Sequence, residues 1–185
     1  MMNRLDVAEA FRTAISASFD SYLETFGFKR TRNDVGENGF SIIYRNDERY
    51  VHFCGTLHPH DHPFYFWLCF GQGSDEMPEC DWNSTALWRM IQAVSLKDHE
   101  QHATLYDIPD VITTAQIEEK IRINRNLCEQ YGDGFLRDDL SLFKRVRGAM
   151  NKGREPYQVH SPNSDGTYST HDDAESSRLK DKYSK

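Results

Sequence analysis

Phe64-Tyr65-Phe66-Trp67-Leu68-Cys69-Phe70 is the longest apolar run of the chain. It is too short for a typical helix and far short of the ~20 residues that a membrane helix requires. Large side chains stand at odd and even positions alike, which marks a central strand covered on at least part of both faces. Outward from this run, Val51, Phe53 and Leu57 alternate with other residues, and Phe40, Ile42 and Tyr44 do the same, so each segment predicts a strand with one buried face. Asn46 and Asp47 mark the turn between them, and residues 28–32 supply a first strand. On the other side Gly71 and Gly73 close the sheet, and Pro78 keeps the next stretch irregular.

Helical spacing flanks the sheet. Leu5, Ala8, Phe11, Ile15, Phe19, Tyr22 and Phe26 lie three or four apart and form one stripe, with Gly27 as the stop and Phe28 placed to fold back on the last turn. After the sheet, Ala86, Leu87, Met90, Ile91 and Val94 predict a short amphipathic helix capped by Asp81 or Asn83, with Trp88 on its flank. Residues 95–104 are charged, contain histidine and read as a loop. Thr113 with Gln116 forms a capping box for a helix through Ile117, Ile121, Leu127, Cys128 and Tyr131, ended by Gly132. A last helix, capped by Asp138 or Asp139, buries Leu140, Phe143, Val146 and Met150.

Helix, antiparallel meander and helices in that order define an α+β domain over residues 1–150, with a sheet of about four strands packed by N-terminal and C-terminal helices. Residues 151–185 are poor in apolar side chains and form a C-terminal arm. Tyr157 and Val159, then Ser161-Pro162-Asn163-Ser164-Asp165-Gly166, then Tyr168 suggest a hairpin, and Leu179 and Tyr183 are spaced to dock one helical turn. The arm is either docked or partly disordered.

Composition narrows the function classes. The 185 residues hold 22 basic and 29 acidic side chains, a net charge of -7, with 12% aromatics and a mean hydropathy of -0.74. Such a charge repels a phosphate backbone unless a basic patch is segregated from the rest. Lys144, Arg145 and Arg147 are the one dense basic run and read as a solvated helix face, so nucleic acid is not the expected partner. Asp6 and Glu9 interrupt any signal-peptide core, and no run spans a membrane, so the expected compartment is the cytoplasm. Cys54, Cys69, Cys80 and Cys128 have no CxxC spacing and are expected as reduced thiols.

One constellation carries chemistry. His52, Cys54, His58, His60, Asp61 and His62 offer nitrogen, sulfur and oxygen donors of the kind zinc takes. His52 and Cys54 share a face if they lie on one strand, and the loop His58-Pro59-His60-Asp61-His62-Pro63 could fold over its end. That would make a metal-dependent enzyme, a hydrolase using metal-activated water. Against this, exposed histidines in a proline-flanked loop are ordinary surface residues, and a cysteine is commonly a small buried hydrophobe, so the default expectation is no cofactor. Cys54 beside His52 as nucleophile and base lacks a third group to orient the imidazole. Gly71-Gln72-Gly73 lacks the third glycine of a nucleotide loop. For Tyr65, Trp67, Trp82 and Trp88 core packing is the default expectation, with lining a ligand pocket or anchoring an interface as the alternative.

Gly27-Phe28-Lys29-Arg30 after the first helix, Gly71-Gln72-Gly73, and Asp81-Trp82-Asn83-Ser84 leading to Leu87-Trp88 resemble a family of uncharacterised bacterial proteins, some of which sit among antibacterial toxin-immunity genes. Phe135-Leu136, Asp139-Leu140 with Phe143, and Arg154-Glu155-Pro156-Tyr157 extend the likeness over most of the chain. The resemblance implies a small α+β domain that binds another protein, and it brings no catalytic residues. The resulting expectation is a non-enzymatic, acidic binding protein, in its narrower form an immunity protein meeting a basic toxin through complementary charge. Asp75, Glu76, Glu79 and Asp81, with Trp82 as aromatic anchor, are the expected contact surface.

Overall fold

The computed structural model describes residues 2–73 and 82–183. It opens with α1 (Arg4–Glu24), where the Asn3 and Asp6 side chains each accept the other's backbone N–H in a capping box. Gly27 takes φ +80°, and the N–H of Phe28 returns to the Leu23 carbonyl at 3.1 Å, which is the glycine stop the spacing predicts. The buried stripe runs through Ala8, Phe11, Ile15, Phe19 and Leu23, while Leu5 stays exposed.

Four strands follow as an antiparallel meander: β1 (Lys29–Gly36), β2 (Gly39–Arg45), β3 (Arg49–Thr56) and β4 (Phe64–Gln72). Asn46 makes the β2–β3 turn, its Oδ1 accepting the backbone N–H groups of Glu48 and Arg49. Two short strands, β5 (Ser84–Ala86) and β6 (Asp107–Ile108), also pair β4. The main sheet therefore has six strands, not about four. Elements of three and two residues are too short to show a period of two, which is why no alternation announces them.

Register decides which residues share a face. Ile42 stands opposite Phe53 and Phe53 opposite Leu68, while Tyr44, Val51 and Phe70 form the next row. This face carries the core. Phe11 lies 5.0 Å from Phe40 and 5.1 Å from Phe66, and Phe19 lies 4.6 Å from Phe53, ring centre to ring centre. Each fully buried ring contributes about 2 to 3 kcal/mol relative to exposure. The other face presents Ser41, Ile43, His52, Cys54, Tyr65, Trp67 and Cys69. On that face the Tyr50 ring crosses Gly71 so closely that a Cβ there would stand 1.9 Å from it.

The remaining helices are α2 (Leu87–Val94), α3 (Leu96–Gln101), α4 (Thr114–Leu127), α5 (Asp133–Leu136) and α6 (Ser141–Asn151). Residues 95–104, expected as a loop, contain α3, whose Ser95 cap accepts the Asp98 N–H at 3.2 Å. The helix buries none of its residues, so it shows no apolar period. The Thr113–Gln116 capping box is present. Gly132, however, does not stop α4: the chain continues through a π-helical turn, Cys128–Gly132, into α5. Gly132 instead lets Phe70 approach, since a Cβ would stand 2.6 Å from that ring. Asn83 does not cap α2, which begins after Ala86 without a side-chain cap; Asn83 accepts from Tyr50 Oη and donates to the Gln72 carbonyl. Asp139 accepts the Ser141 N–H at the start of α6.

In the arm, β7 (Gln158–Pro162) and β8 (Tyr168–Asp172) form a separate hairpin whose residues are nearly all exposed. The final helix, α7 (Ala174–Tyr183), docks through Leu179 against Trp82. Among the described residues, no helix is long and apolar enough to cross a membrane.

Candidate functional site

β6 takes up one end of the β4 edge and β5 the other, so at Trp67 and Leu68 that edge has no paired strand among the described residues. A pocket of about 220 Å³ opens at this break, walled by Tyr65 and Trp67 of β4, Trp88 of α2, His99 of α3, and His102, Tyr106 and Asp107 from the chain leading into β6. Tyr65 and Trp67, two apart on one strand, share a face with ring centres 6.1 Å apart. Trp88 lies 5.9 Å from His99, and the Arg89 guanidinium sits 4.7 Å from the Trp88 ring centre.

The walls are held from behind. Lys120 of α4 donates to the carbonyls of Thr104 (3.0 Å) and Leu105 (2.9 Å), fixing the segment that presents Tyr106 and Asp107. Burial lowers the pKa of this ammonium, and the Asp107 carboxylate works in the opposite direction. Tyr131 of the π-helical turn donates to Asp98 of α3, and this bond, the largest cause, holds the Asp98 carboxyl below its ordinary pKa. Two polar atoms of the pocket residues, Tyr106 Oη and His99 Nδ1, are buried without a hydrogen-bond partner among the described residues. Burial, with the Cys69 and Cys128 thiols as smaller causes, raises the Tyr106 pKa, so the phenol is a neutral donor at physiological pH. Unpaired buried groups of this kind are costly.

The His/Cys constellation divides in the structure. His52 and Cys54 do share the second face of the sheet, but His52 is buried with Nε2 2.9 Å from Ser41 Oγ. Burial, and secondarily the Arg32 guanidinium, pulls its pKa down from 6.5 to about 4. Its Nδ1 has no partner among the described residues, so no carboxylate orients the imidazole as a base. His60 and His62 are exposed; His58 and His60 lie 5.1 Å apart ring to ring, and His62 Nε2 meets Asp110 at 3.2 Å. Asp61 accepts from Thr56. Among the described residues, no three His, Cys, Asp or Glu side chains converge as a metal would require.

Of the expected contact surface, Asp75, Glu76, Glu79 and Asp81 lie outside the described residues. Trp82 is a correction: it is wholly buried, packed against Leu179 with Tyr183 beside it, and cannot serve as an exposed anchor. An indole before a short strand carries no local sign of which partner covers it, and here the cover comes from α7, almost a hundred positions away. Tyr65, Trp67 and Trp88, by contrast, do line a pocket. His99, His102, Tyr106 and Asp107 were not legible as its other wall, because α3 and β6 lack the periodicity that would have placed them.

Compared with protein-family models, with curated proteins and with solved structures, the chain matches none.

Proposed function

We propose that this chain is a non-enzymatic binding protein whose pocket of Tyr65, Trp67, Trp88 and Tyr106 receives one cationic side chain of a basic protein partner. The observation that carries the reading is the combination of four rings and the Asp107 carboxylate around about 220 Å³. This volume falls below the ~300 Å³ at which small-molecule sites commonly begin, and it suits a single inserted side chain. Aromatic faces attract guanidinium and ammonium groups by about 0.5 to 2 kcal/mol each, more when water is excluded. The rim already uses this chemistry internally, with Arg89 over Trp88. At a distance, the net charge of -7 draws a basic partner in and speeds encounter.

Immunity against a basic toxin is the narrower form of the proposal, supported by the family resemblance. The experiment is a calorimetric titration with a short arginine-containing basic peptide and with the same peptide carrying glutamine at each arginine. Saturable binding of the first alone supports the reading. Equal binding of both, or of neither, contradicts it.

A further inference from the structure

A second concavity, of about 600 Å³, lies between α6, the turn after it and α7, and the charge around it runs against that of the chain. Lys144 and Arg147 come from α6, Lys152 and Arg154 from the turn, and Lys180 from α7; among the described residues Glu155 is the one carboxylate of the lining. Among the described lining residues, five cations and one carboxylate give a formal charge of +4 in a chain of net -7. Lys180 pairs with Glu155. Among the described residues no carboxylate lies within ion-pair distance of Lys144, Arg147 or Lys152, and the acceptor of Arg147 is the neutral Gln72 Oε1 at 3.2 Å.

Each guanidinium lies near two rings. The Arg147 Cζ lies 5.2 Å from the centre of Phe143 and 5.7 Å from that of Tyr183. The Arg154 Cζ lies 5.0 Å from Trp82 and 5.7 Å from Tyr157, whose hydroxyl accepts from Arg154 Nη2 at 2.9 Å. Ring contacts of this kind order the Arg147 guanidinium in advance, and an ordered guanidinium suits a planar acceptor such as phosphate. The ordering entropy is thus lost on folding and not on binding.

We infer that this basin binds a small ligand bearing two or more phosphate groups. Its volume lies within the ~300 to 1,000 Å³ of small-molecule sites. A single oxyanion would leave most of the cations unanswered, whereas a polyphosphate offers several anionic groups to Arg147 and the rim lysines at once. An extended nucleic acid would meet the repulsion of the acidic remainder.

Titration calorimetry of the full chain with sodium tripolyphosphate tests this, with sulfate and poly-glutamate as comparators. The expected result is one site per chain, preferring tripolyphosphate over sulfate. Affinity should fall by about tenfold in the double variant Lys144→Gln, Lys152→Gln, whose side chains are exposed and hold no part of the core. Arg147→Met, which keeps apolar bulk between Phe143 and Tyr183, should abolish binding; if that chain fails to fold, the exposed double variant decides. No binding, equal binding of sulfate, binding of poly-glutamate alone, or an unchanged affinity in the double variant would each overturn the inference.

Discussion

Leu179 of α7 is seated on the indole of Trp82, the two buried to 2% and 0% exposure in a small cluster apart from the main core. This contact helps to tie the arm down, together with Tyr183 beside it and with Asn151, whose Nδ2 donates to the Trp82 carbonyl at 3.0 Å. Replacing Leu179 by alanine should cost about 2 kcal/mol at this site, the low end for a large-to-small change in a core. The loss should fall on the arm alone. Amide exchange should speed up in α7 while α1 and β2–β4 keep their protection; unchanged exchange in α7 would refute the contact's role.

Gly71 opposite Tyr50 makes a second prediction. Tyr50 is almost wholly buried, held by Asn83 and covered by Arg45, whose Cζ lies 5.0 Å from its ring centre, so the ring cannot retreat without exposing or unpairing something. Gly71→Ala should destabilise the chain by about 1 to 3 kcal/mol through overpacking, read as a lower urea midpoint. Gly148→Ala, where an added Cβ meets nothing within 4 Å, should leave the midpoint unchanged or raise it slightly.

His52 predicts a pH dependence. In the folded chain the imidazole is held neutral down to about pH 4, while in the unfolded chain it takes up a proton below about pH 6.5. The unfolded state thus binds more protons between these values, and stability falls as pH drops through that window. The difference amounts to about 3 kcal/mol at its full extent, all of it present above pH 6.5 and none regained below pH 4. Urea unfolding from pH 7 to pH 4 should show this slope in the native chain and a shallower one in His52→Gln. Parallel curves would show that His52 is not the buried neutral group described.

Much of this architecture could be read from residue order. The α1 stripe and its glycine stop, the alternation of β2 and β3, and the Thr113 capping box each state their structure locally, because periodicity and caps depend on near neighbours. What escaped was long-range. β5 and β6 exist only because β4 offers an edge, and Gly132 serves a ring on another element and not the end of its own helix. The pocket shows both sides: Tyr65, Trp67 and Trp88 could be named as lining residues from their size and position, but Tyr106 and Asp107 reach it through a two-residue strand with no signature. The burial of Trp82 is hidden from the sequence for the same reason, its cover being supplied by a distant helix.

Within the pocket, Asp107→Asn should weaken binding of an arginine-containing peptide by about fivefold, the loss of one partly exposed charge pair, and this loss should shrink at high salt. Trp88→Ala should weaken it more, by about tenfold or greater, with little dependence on salt. The reverse ranking at high salt would mean that charge, not the aromatic enclosure, provides the binding.

The most direct measurement uses the three tryptophans as reporters on one chain. Trp67 and Trp88 line the pocket and Trp82 is buried under α7, so their indole N–H resonances divide the molecule into site and control. On titration with the basic peptide, the account predicts saturable shifts at Trp67 and Trp88 and none at Trp82. A shift at Trp82 with none at the other two, or no shift at any of the three at saturating peptide, would contradict it.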